Sequence, residues 1–354
     1  MDAPTRRLRT SDKPIGKVRT IEPHQIDQRY IEVLKRLEPY HYFKFLTIPW
    51  LHLLSGLAVE YSVFRKYLGY MREAPNRYIR CPEQQAASPN TSYKTLVYEL
   101  AERGLNELIN RGIVASRRDQ DAPAPKSKRN HAFALHRSNS YLHEIIVDLG
   151  YYAPLHHLVR THPALRLVDF PTLIVHANVP AATRGANDPL LIQLKSGQLR
   201  FDGTPHLIIR KGEDGVEFPL GIPGIQVDRG TESFALIEKY ILHAIECIEE
   251  HHHERHWGFE NSFIPFLFTK EVRKNRAMQF VRNVRDSCPY LLFQTIPDLG
   301  LLHHFPRPEH YSRSYAYADD EPRHPDNIHI FTNPWQRVGY PDFYFNTFDE
   351  KGDA

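Results

Sequence analysis

Apolar residues recur at helical spacing in the first third of the chain. They form one stripe over residues 24–37, which includes Ile26, Tyr30 and Leu34, and residues 58–73 repeat the pattern. A short helix is predicted near Pro49, with Thr47 as its candidate N-terminal cap. Alternating residues from 93 to 100 predict a strand, and residues 100–112 return to helical spacing. These elements are the components of a winged helix, which we predict over residues 24–115.

The pattern beyond residue 137 alternates between strands and helices. Strands are predicted over residues 165–175, 205–211, 222–227, 263–268 and 290–294, and helices over residues 140–149, 231–250 and 271–284. Such alternation is typical of an α/β domain with a mixed central sheet. We therefore predict an α+β or α/β protein whose second domain covers residues 138–302.

Three further segments flank or separate these domains. Residues 1–23 are basic and contain no long apolar run, so they are predicted to form a disordered arm and not a secretory signal. Residues 116–137 combine alternating alanine and proline with charged residues, which is typical of a flexible linker. Residues 303–354 form a tail rich in proline, histidine and aromatic residues, whose rings either stack on unpaired bases or pack on the domain surface.

Composition narrows the class of protein. With 354 residues, of which 41% are hydrophobic, the chain is large enough for two domains, while a net charge of +3 is too small to identify a partner. Its 3 cysteines are far apart in the sequence, which argues against a disulfide framework and a structural zinc site. The apolar run over residues 45–59 is interrupted and too short to span a bilayer. We therefore expect a cytoplasmic protein without a membrane anchor.

Several cations are candidates for contacts with DNA. The helix predicted over residues 58–73 turns three of them away from its apolar stripe: Arg65, Lys66 and Arg72. A basic helix face of this kind can enter the major groove of duplex DNA. The linker adds four candidates for phosphate contacts: Arg117, Arg118, Lys128 and Arg129. The alternatives are that the helix belongs to a protein-interaction module with solvated charges, and that the linker is only a tether.

One run of residues in the second domain carries a family resemblance. It consists of Gln226-Val227-Asp228-Arg229-Gly230-Thr231-Glu232, followed by Lys239-Tyr240. It resembles the signature of the replication-relaxation proteins of plasmids and integrated elements. Residues 97–104 also resemble the strand-to-helix junction of winged-helix regulators. The resemblance implies a winged helix followed by a restriction-endonuclease-like domain, and double-stranded DNA as the partner. It also implies a role in replication or mobilisation alongside other proteins of these processes.

The resemblance also implies a catalytic site, from which this chain departs. The family pattern would place carboxylates where the chain has His206 and Gln226, so that only Asp228, Glu232 and Lys239 remain of the site. A Mg²⁺ or Mn²⁺ ion that assists phosphodiester cleavage needs several carboxylate ligands. Asp228 is the one candidate metal ligand of the run, and we expect a nuclease-like domain whose catalytic residues are degenerate.

Alternatives remain open for these residues. Asp228 and Glu232 belong either to an active site or to the start of a helix, where Asp228 caps the helix and Glu232 complements its dipole. Lys239 either neutralises a nearby anion or is a plain surface lysine. A strand register shifted by four residues would let Asp202 replace the carboxylate missing at His206. The rival functions are a metal-dependent nuclease that uses Asp228 and a transcriptional repressor whose second domain forms a homodimer.

Overall fold

The structure, a computed structural model, describes residues 26, 28–37, 43, 45–82, 96–113, 140–174, 178–186, 188–212, 214–296, 330–331 and 333–345. The described residues divide into two compact units, one with those up to residue 113 and one with those from residue 140 onwards. Both units contain helices and strands, so the protein is of mixed α and β class. The linker candidates Arg117, Arg118, Lys128 and Arg129 lie outside the described residues, as does the predicted N-terminal arm.

Unit 1 places its helices around a small antiparallel sheet. In chain order its elements are α1 (Gln28–Arg36), β1 (Leu46–Thr47), α2 (Ile48–Ser55), α3 (Tyr61–Arg72), β2 (Ile79–Arg80), β3 (Val97–Leu100) and α4 (Glu102–Asn110). The strands pair in the order β1-β3-β2, and both pairings are antiparallel. Thr47 holds the N-cap position of α2 without a side-chain cap hydrogen bond, and the helix carries a proline in its first turn.

Aromatic stacking and aliphatic packing close the core of unit 1. Phe64, Leu68 and Met71 of α3 are buried. The ring of Tyr30 in α1 stacks on that of Tyr67, with centroids 3.7 Å apart. Because burial of such side chains is the main driving force for folding, α1 and α3 are held together by the apolar stripes that their sequence predicts.

Unit 2 is larger, and its helices are interleaved with strands. The helices are α5 (Ser140–Ile145), α6 (Ala153–Thr161), α7 (Phe170–Ile174), α8 (Ala181–Arg184), α9 (Phe234–Glu249), α10 (His252–Trp257) and α11 (Glu271–Val284). The strands are β4 (Leu165–Val168), β5 (Ile192–Gln193), β6 (Gln198–Leu199), β7 (His206–Lys211), β8 (Glu217–Ile222), β9 (Gln226–Asp228), β10 (Ile264–Phe268), β11 (Cys288–Thr295) and β12 (Gln336–Val338). A π-helical segment, Ile146–Tyr152, joins α5 to α6.

Two sheets form the framework of unit 2. The first is antiparallel, with strand order β4-β7-β8. In the second, β9, β10 and β11 are parallel and β12 adds an antiparallel edge. The long helices α9 and α11 connect the parallel strands, as crossovers between parallel strands require. The apolar face of α9, which includes Ile237, Ile241 and Ala244, packs in the same core as Phe266 and Phe293.

The described part of the tail packs on unit 2. Trp335, Phe343 and Phe345 are buried, and the indole N–H of Trp335 donates to the backbone oxygen of Ile330. The strand β12 also lies within residues 303–354. Of the two roles open to the tail aromatics, packing on the domain is therefore the one that these three rings take.

Some predicted elements differ from the observed ones. The predicted helix 140–149 continues through the π-helical segment into α6, because Pro154 lies in the first turn of α6, where proline is tolerated. The predicted strand 165–175 ends at Val168 and is followed by α7. The predicted strand 222–227 belongs to two strands, β8 and β9. None of the helices within the described residues is both long and apolar enough to cross a membrane.

Candidate functional site

The first candidate surface is the exposed side of α3 in unit 1. Lys66 is exposed, Arg65 is half-buried, and Tyr61 and Val63 expose 41% and 53% of their surface. Val63 belongs to the apolar pattern predicted over residues 58–73, but the buried stripe of α3 is narrower than that pattern and leaves Val63 in solvent. The solvent-exposed surface of α3 therefore includes a cationic, an aromatic and an aliphatic side chain.

The N-terminus of α3 is capped by its own sequence. The carboxylate of Glu60 accepts a hydrogen bond from the backbone N–H of Ser62 at 3.2 Å. A carboxylate at this position is favourable because the first backbone N–H groups of a helix have no partner within it. The carboxylate of Glu60 therefore interacts with the N-terminus of its own helix.

Arg72, the third predicted recognition residue, is held within unit 1. Its guanidinium donates to the carboxylate of Glu73 at 2.6 and 2.9 Å and to the hydroxyl of Tyr98 at 3.4 Å. Its side chain is 20% exposed. Arg72 therefore ties the end of α3 to β3, whereas Lys66 has no ion pair within the described residues.

The second candidate site lies around the loop that follows β9 in unit 2. The side chain of Asp228 is 2% exposed, and both of its oxygens are bound. One oxygen accepts from the backbone N–H of Gly230 at 2.7 Å and from Arg273 at 3.0 Å, and the other accepts from Arg273 at 2.5 Å. Arg273 comes from α11 and also donates to the backbone oxygen of Glu232 at 3.1 Å. Asp228 therefore orders the loop through a buried, two-pronged ion pair.

Gln226 lies two residues before Asp228 on β9 and binds a different carboxylate. Its side-chain N–H donates to Asp202 at 2.8 Å, and the same oxygen of Asp202 accepts from the backbone N–H of Val227 at 2.8 Å. In a metal site two acidic groups can lie together because a cation separates them. Here the amide N–H of Gln226 and the backbone N–H of Val227 act as hydrogen-bond donors to one oxygen of Asp202, in the place of a cation.

Glu232 and His143 lie beside Asp202. Burial raises the pKa of Glu232, the charges of Asp202 and Asp228 raise it further, and His143 opposes the rise. Burial disfavours the charged form of His143, but Asp202, whose carboxylate is 3.9 Å from its Nδ1, outweighs this and raises the pKa of the imidazole. The cluster therefore offers one imidazole and one partly desolvated carboxyl group around Asp202.

Two acceptor oxygens of this cluster have no partner within the described residues. They are Oε1 of Gln226 and Oε2 of Glu232. Glu232 also lies outside α9, which begins at Phe234 with Ser233 as its N-cap residue. The helix predicted over residues 231–250 would have included Glu232 together with Lys239, but Lys239 is exposed on α9 and Glu232 is in the loop before it. Asp228 does not cap the helix either.

His206 lies in a separate, aromatic environment. It begins β7, is 2% exposed, and its Nε2 is 3.2 Å from the hydroxyl of Tyr151. Its Nδ1 is 3.2 Å from the backbone oxygen of Thr204, and its ring lies 5.5 Å from that of Tyr152. Burial lowers the pKa of His206 to about 4, so the imidazole is neutral at neutral pH. His206 is therefore a core histidine with its own partners.

The residues at this site do not fit a Mg²⁺ or Mn²⁺ ion. An ion bound by Asp228 would have to displace Arg273 and the N–H of Gly230, and Asp202 already accepts two hydrogen bonds. Within the described ranges no cluster of histidine, cysteine, aspartate and glutamate is arranged to hold a metal ion. The Mg²⁺ or Mn²⁺ that the nuclease alternative requires therefore has no prepared site in this part of the chain.

Two residues of the cluster were not predicted from sequence, and a third was named for a different role. His143 and Arg273 reach the cluster from α5 and α11, which are far from residues 226–232 in the chain. The basic character of residues 271–284 was the only signal for Arg273. Asp202 was considered as a substitute for His206, but it joins Gln226 from the loop before β7.

Comparisons with known proteins identify no relative of this chain. No protein family, no curated protein and no solved structure gives a significant match to the chain. The side chains and their geometry are therefore what a functional proposal has to rest on.

Proposed function

We propose that this chain is a duplex DNA-binding protein of a plasmid, phage or integrated element, which acts in replication, mobilisation or regulation of that element without cutting DNA. The observation that carries the proposal is the exposed surface of α3, where Lys66 lies in solvent one turn after the exposed Val63, and Tyr61 is exposed at the start of the helix. Cations contact phosphates, and apolar groups can contact the methyl groups of thymine in the major groove.

The element order of unit 1 supports a winged helix as its finer fold. The elements follow in the order α1, β1, α2, α3, β2 and β3. The last strand, β3, lies in the middle of the sheet and pairs with both β1 and β2. In helix-turn-helix proteins the second helix of the motif lies in the major groove. In unit 1 that helix is α3, which follows α2 after a short turn at Gly56.

The finer fold proposed for unit 2 is a restriction-endonuclease-like core. Its support is the succession of α6, an antiparallel β4-β7-β8 sheet, β9, α9 and a parallel β10. The run Gln226–Glu232, which resembles the replication-relaxation signature, spans β9 and the loop before α9. Such a unit would serve as a platform for DNA or for other replication or mobilisation proteins.

Binding without cleavage is favoured over the nuclease alternative by the state of two carboxylates. Asp228 is bound by Arg273, and Asp202 is bound by the amide of Gln226. Metal-assisted hydrolysis requires carboxylates that are free to bind the metal ion. Asp228 does not meet this requirement because both of its oxygens are bound, and in Asp202 two hydrogen bonds occupy one of the two oxygens.

The proposal is tested by DNA binding of the full chain with Lys66→Ala and with the double change Arg65→Ala and Lys66→Ala. Fluorescence anisotropy of a labelled duplex, measured over a range of salt concentrations, reports both affinity and salt dependence. We expect the affinity to fall in both variants, and the salt slope to decrease by about one unit for each lost phosphate contact.

The matched control is Lys35→Ala. Lys35 belongs to α1 of the same unit, is partly exposed, and is already paired with Glu32 at 2.6 Å. We expect it to leave binding unchanged. If Lys66→Ala and Lys35→Ala bind DNA equally well, α3 is not the DNA-binding element.

A further inference from the structure

The exposed side of α11 in unit 2 has an unusual composition for a solvated helix. Its exposed residues from the second turn onwards are cationic or carry amides: Asn275, Arg276, Gln279, Arg282 and Asn283. We call these five residues the α11 ridge. The opposite side of the helix, with Ala277, Met278 and Val281, is buried in the core of unit 2.

The cations of the ridge carry uncompensated charge. Arg276 and Arg282 form no ion pair with any residue that the structure describes. The guanidinium of Arg276 lies over the ring of Phe234, 3.9 Å from its centroid, which leaves its charge available. The exposed acidic residue of α11 is Glu271, which is engaged by Lys274 at 2.7 Å and by the hydroxyl of Thr295 at 2.6 Å.

The neighbouring helix α9 shows what an ordinary solvated face looks like in this unit. Its exposed and half-buried positions mix both signs: Glu238, Lys239, Glu246 and Glu249. Glu249 is paired with Arg285 at 2.7 Å. Mixed signs are usual on a surface because opposite charges on a helix stabilise one another. The α11 ridge has one sign only, so solvation alone does not explain it.

We propose that the α11 ridge is a second DNA-binding surface, which contacts the phosphate backbone without reading its sequence. Arginine, asparagine and glutamine are among the side chains that bind phosphate oxygens. Arg276 and Arg282 are six residues apart, or about 9 Å along the helix, which corresponds to roughly two or three phosphates along one strand. This surface rests on the proposed function, since it needs a chain that engages duplex DNA.

A membrane is a poorer partner for this ridge. A helix that binds in the plane of a bilayer needs an apolar face to insert, and the apolar face of α11 is already packed in the core. The amides of Asn275, Gln279 and Asn283 also contribute hydrogen bonds and no charge. They are better suited to a fixed row of phosphates than to a fluid anionic surface.

The test compares the full chain with the double change Arg276→Gln and Arg282→Gln. Anisotropy of a labelled duplex over a range of salt concentrations should show a salt slope reduced by about two units. The loss should be the same for duplexes of unrelated sequence. The single change Arg276→Lys, which keeps the charge, should retain the parental slope.

The matched control removes the same net charge from paired cations. It combines Arg166→Gln with Arg285→Gln, whose partners Glu217 and Glu249 lie 3.1 and 2.7 Å away at the surface. Exposed ion pairs contribute little to stability, so this variant should fold, as should the ridge variant. Circular dichroism verifies both, and the control should keep the parental salt slope.

The outcomes separate this inference from the proposed function. An unchanged slope in the ridge variant, with binding still weakened by Lys66→Ala, overturns the ridge and leaves the role of α3 intact. A reduced slope in the ridge variant, with no effect of Lys66→Ala, supports the ridge and overturns α3. Absence of parental DNA binding overturns both. A ridge variant that loses binding only to anionic vesicles assigns the ridge to a membrane.

Discussion

His206 shows how a single position can be mistaken for part of an active site. Its place beside Pro205 matched the position of a catalytic carboxylate in the family pattern, but its ring packs against those of Tyr151 and Tyr152. A neutral imidazole can be buried there because the hydroxyl of Tyr151 lies within hydrogen-bonding distance. We therefore expect His206 to affect the stability of the fold and the dependence of that stability on pH.

We predict that burial of His206 makes the protein less stable in mild acid. Burial lowers the pKa of His206 to about 4, whereas the imidazole of an unfolded chain titrates near its ordinary value of about 6.5. The unfolded state therefore binds more protons between these values, so stability is fully present above about pH 6.5 and is lost as the pH falls towards about 4. The largest loss is about 3 kcal/mol.

Urea unfolding of the parent and of His206→Phe at about pH 7 and about pH 4.5 measures this effect. Phenylalanine keeps an aromatic ring in the cluster but has no proton to bind. The free energy of unfolding should fall less between the two pH values in the variant than in the parent. Equal losses in both proteins would contradict the assignment of this pH dependence to His206.

The cluster around Asp202 marks the limit of what sequence could predict at the residue scale. The run of residues 226–232 identified the correct loop, because its residue types are local. The partners of that loop, Arg273 and His143, are distant in the chain and depend on how α11 and α5 pack. Only the three-dimensional structure shows that a guanidinium and an amide occupy the two carboxylates.

At the scale of elements, strongly periodic segments were predicted well. The helix over residues 271–284 has the predicted bounds, and the long helix over 231–250 is observed as Phe234–Glu249. The strand β12 was missed because its residues carry no alternating pattern and pair with β11 only through tertiary packing. The helix predicted over residues 140–149 covers only the first four residues of the π-helical segment, all seven of which are buried.

Gly104 of α4 lies where the packing of the helix leaves no room for a side chain. A side chain there would collide with the backbone oxygen of Tyr78 and lie 2.7 Å from Cδ1 of Leu100. Alanine stabilises an isolated helix by about 1 kcal/mol relative to glycine, but overpacking costs about 1–3 kcal/mol. We therefore predict that Gly104→Ala lowers the stability of unit 1.

Chemical denaturation of Gly104→Ala and of Asn106→Ala measures this balance. Asn106 is exposed on the same helix, so alanine there should leave stability unchanged or slightly improved. Gly104→Ala should unfold at a lower denaturant concentration than the parent. A variant as stable as Asn106→Ala would show that α4 does not depend on this close approach to the backbone of Tyr78.

The two units of the molecule have different proposed tasks. Unit 1 presents the exposed side of α3, and unit 2 presents the α11 ridge on a framework whose acidic cluster is bound internally. Two separate basic surfaces would each release counterions from DNA, so their contributions to the salt dependence should add. Together they are the basis of our proposal that the chain holds duplex DNA and does not cut it.

Fluorescence anisotropy of a labelled duplex, mixed with the full chain in the presence of Mg²⁺, distinguishes binding from cleavage in one experiment. We predict that the anisotropy rises on mixing, stays constant with time and returns to its starting value when salt is added. The strands recovered afterwards should be intact on a denaturing gel. No rise would contradict DNA binding, and a rise followed by decay with shortened strands would show that the chain is a nuclease.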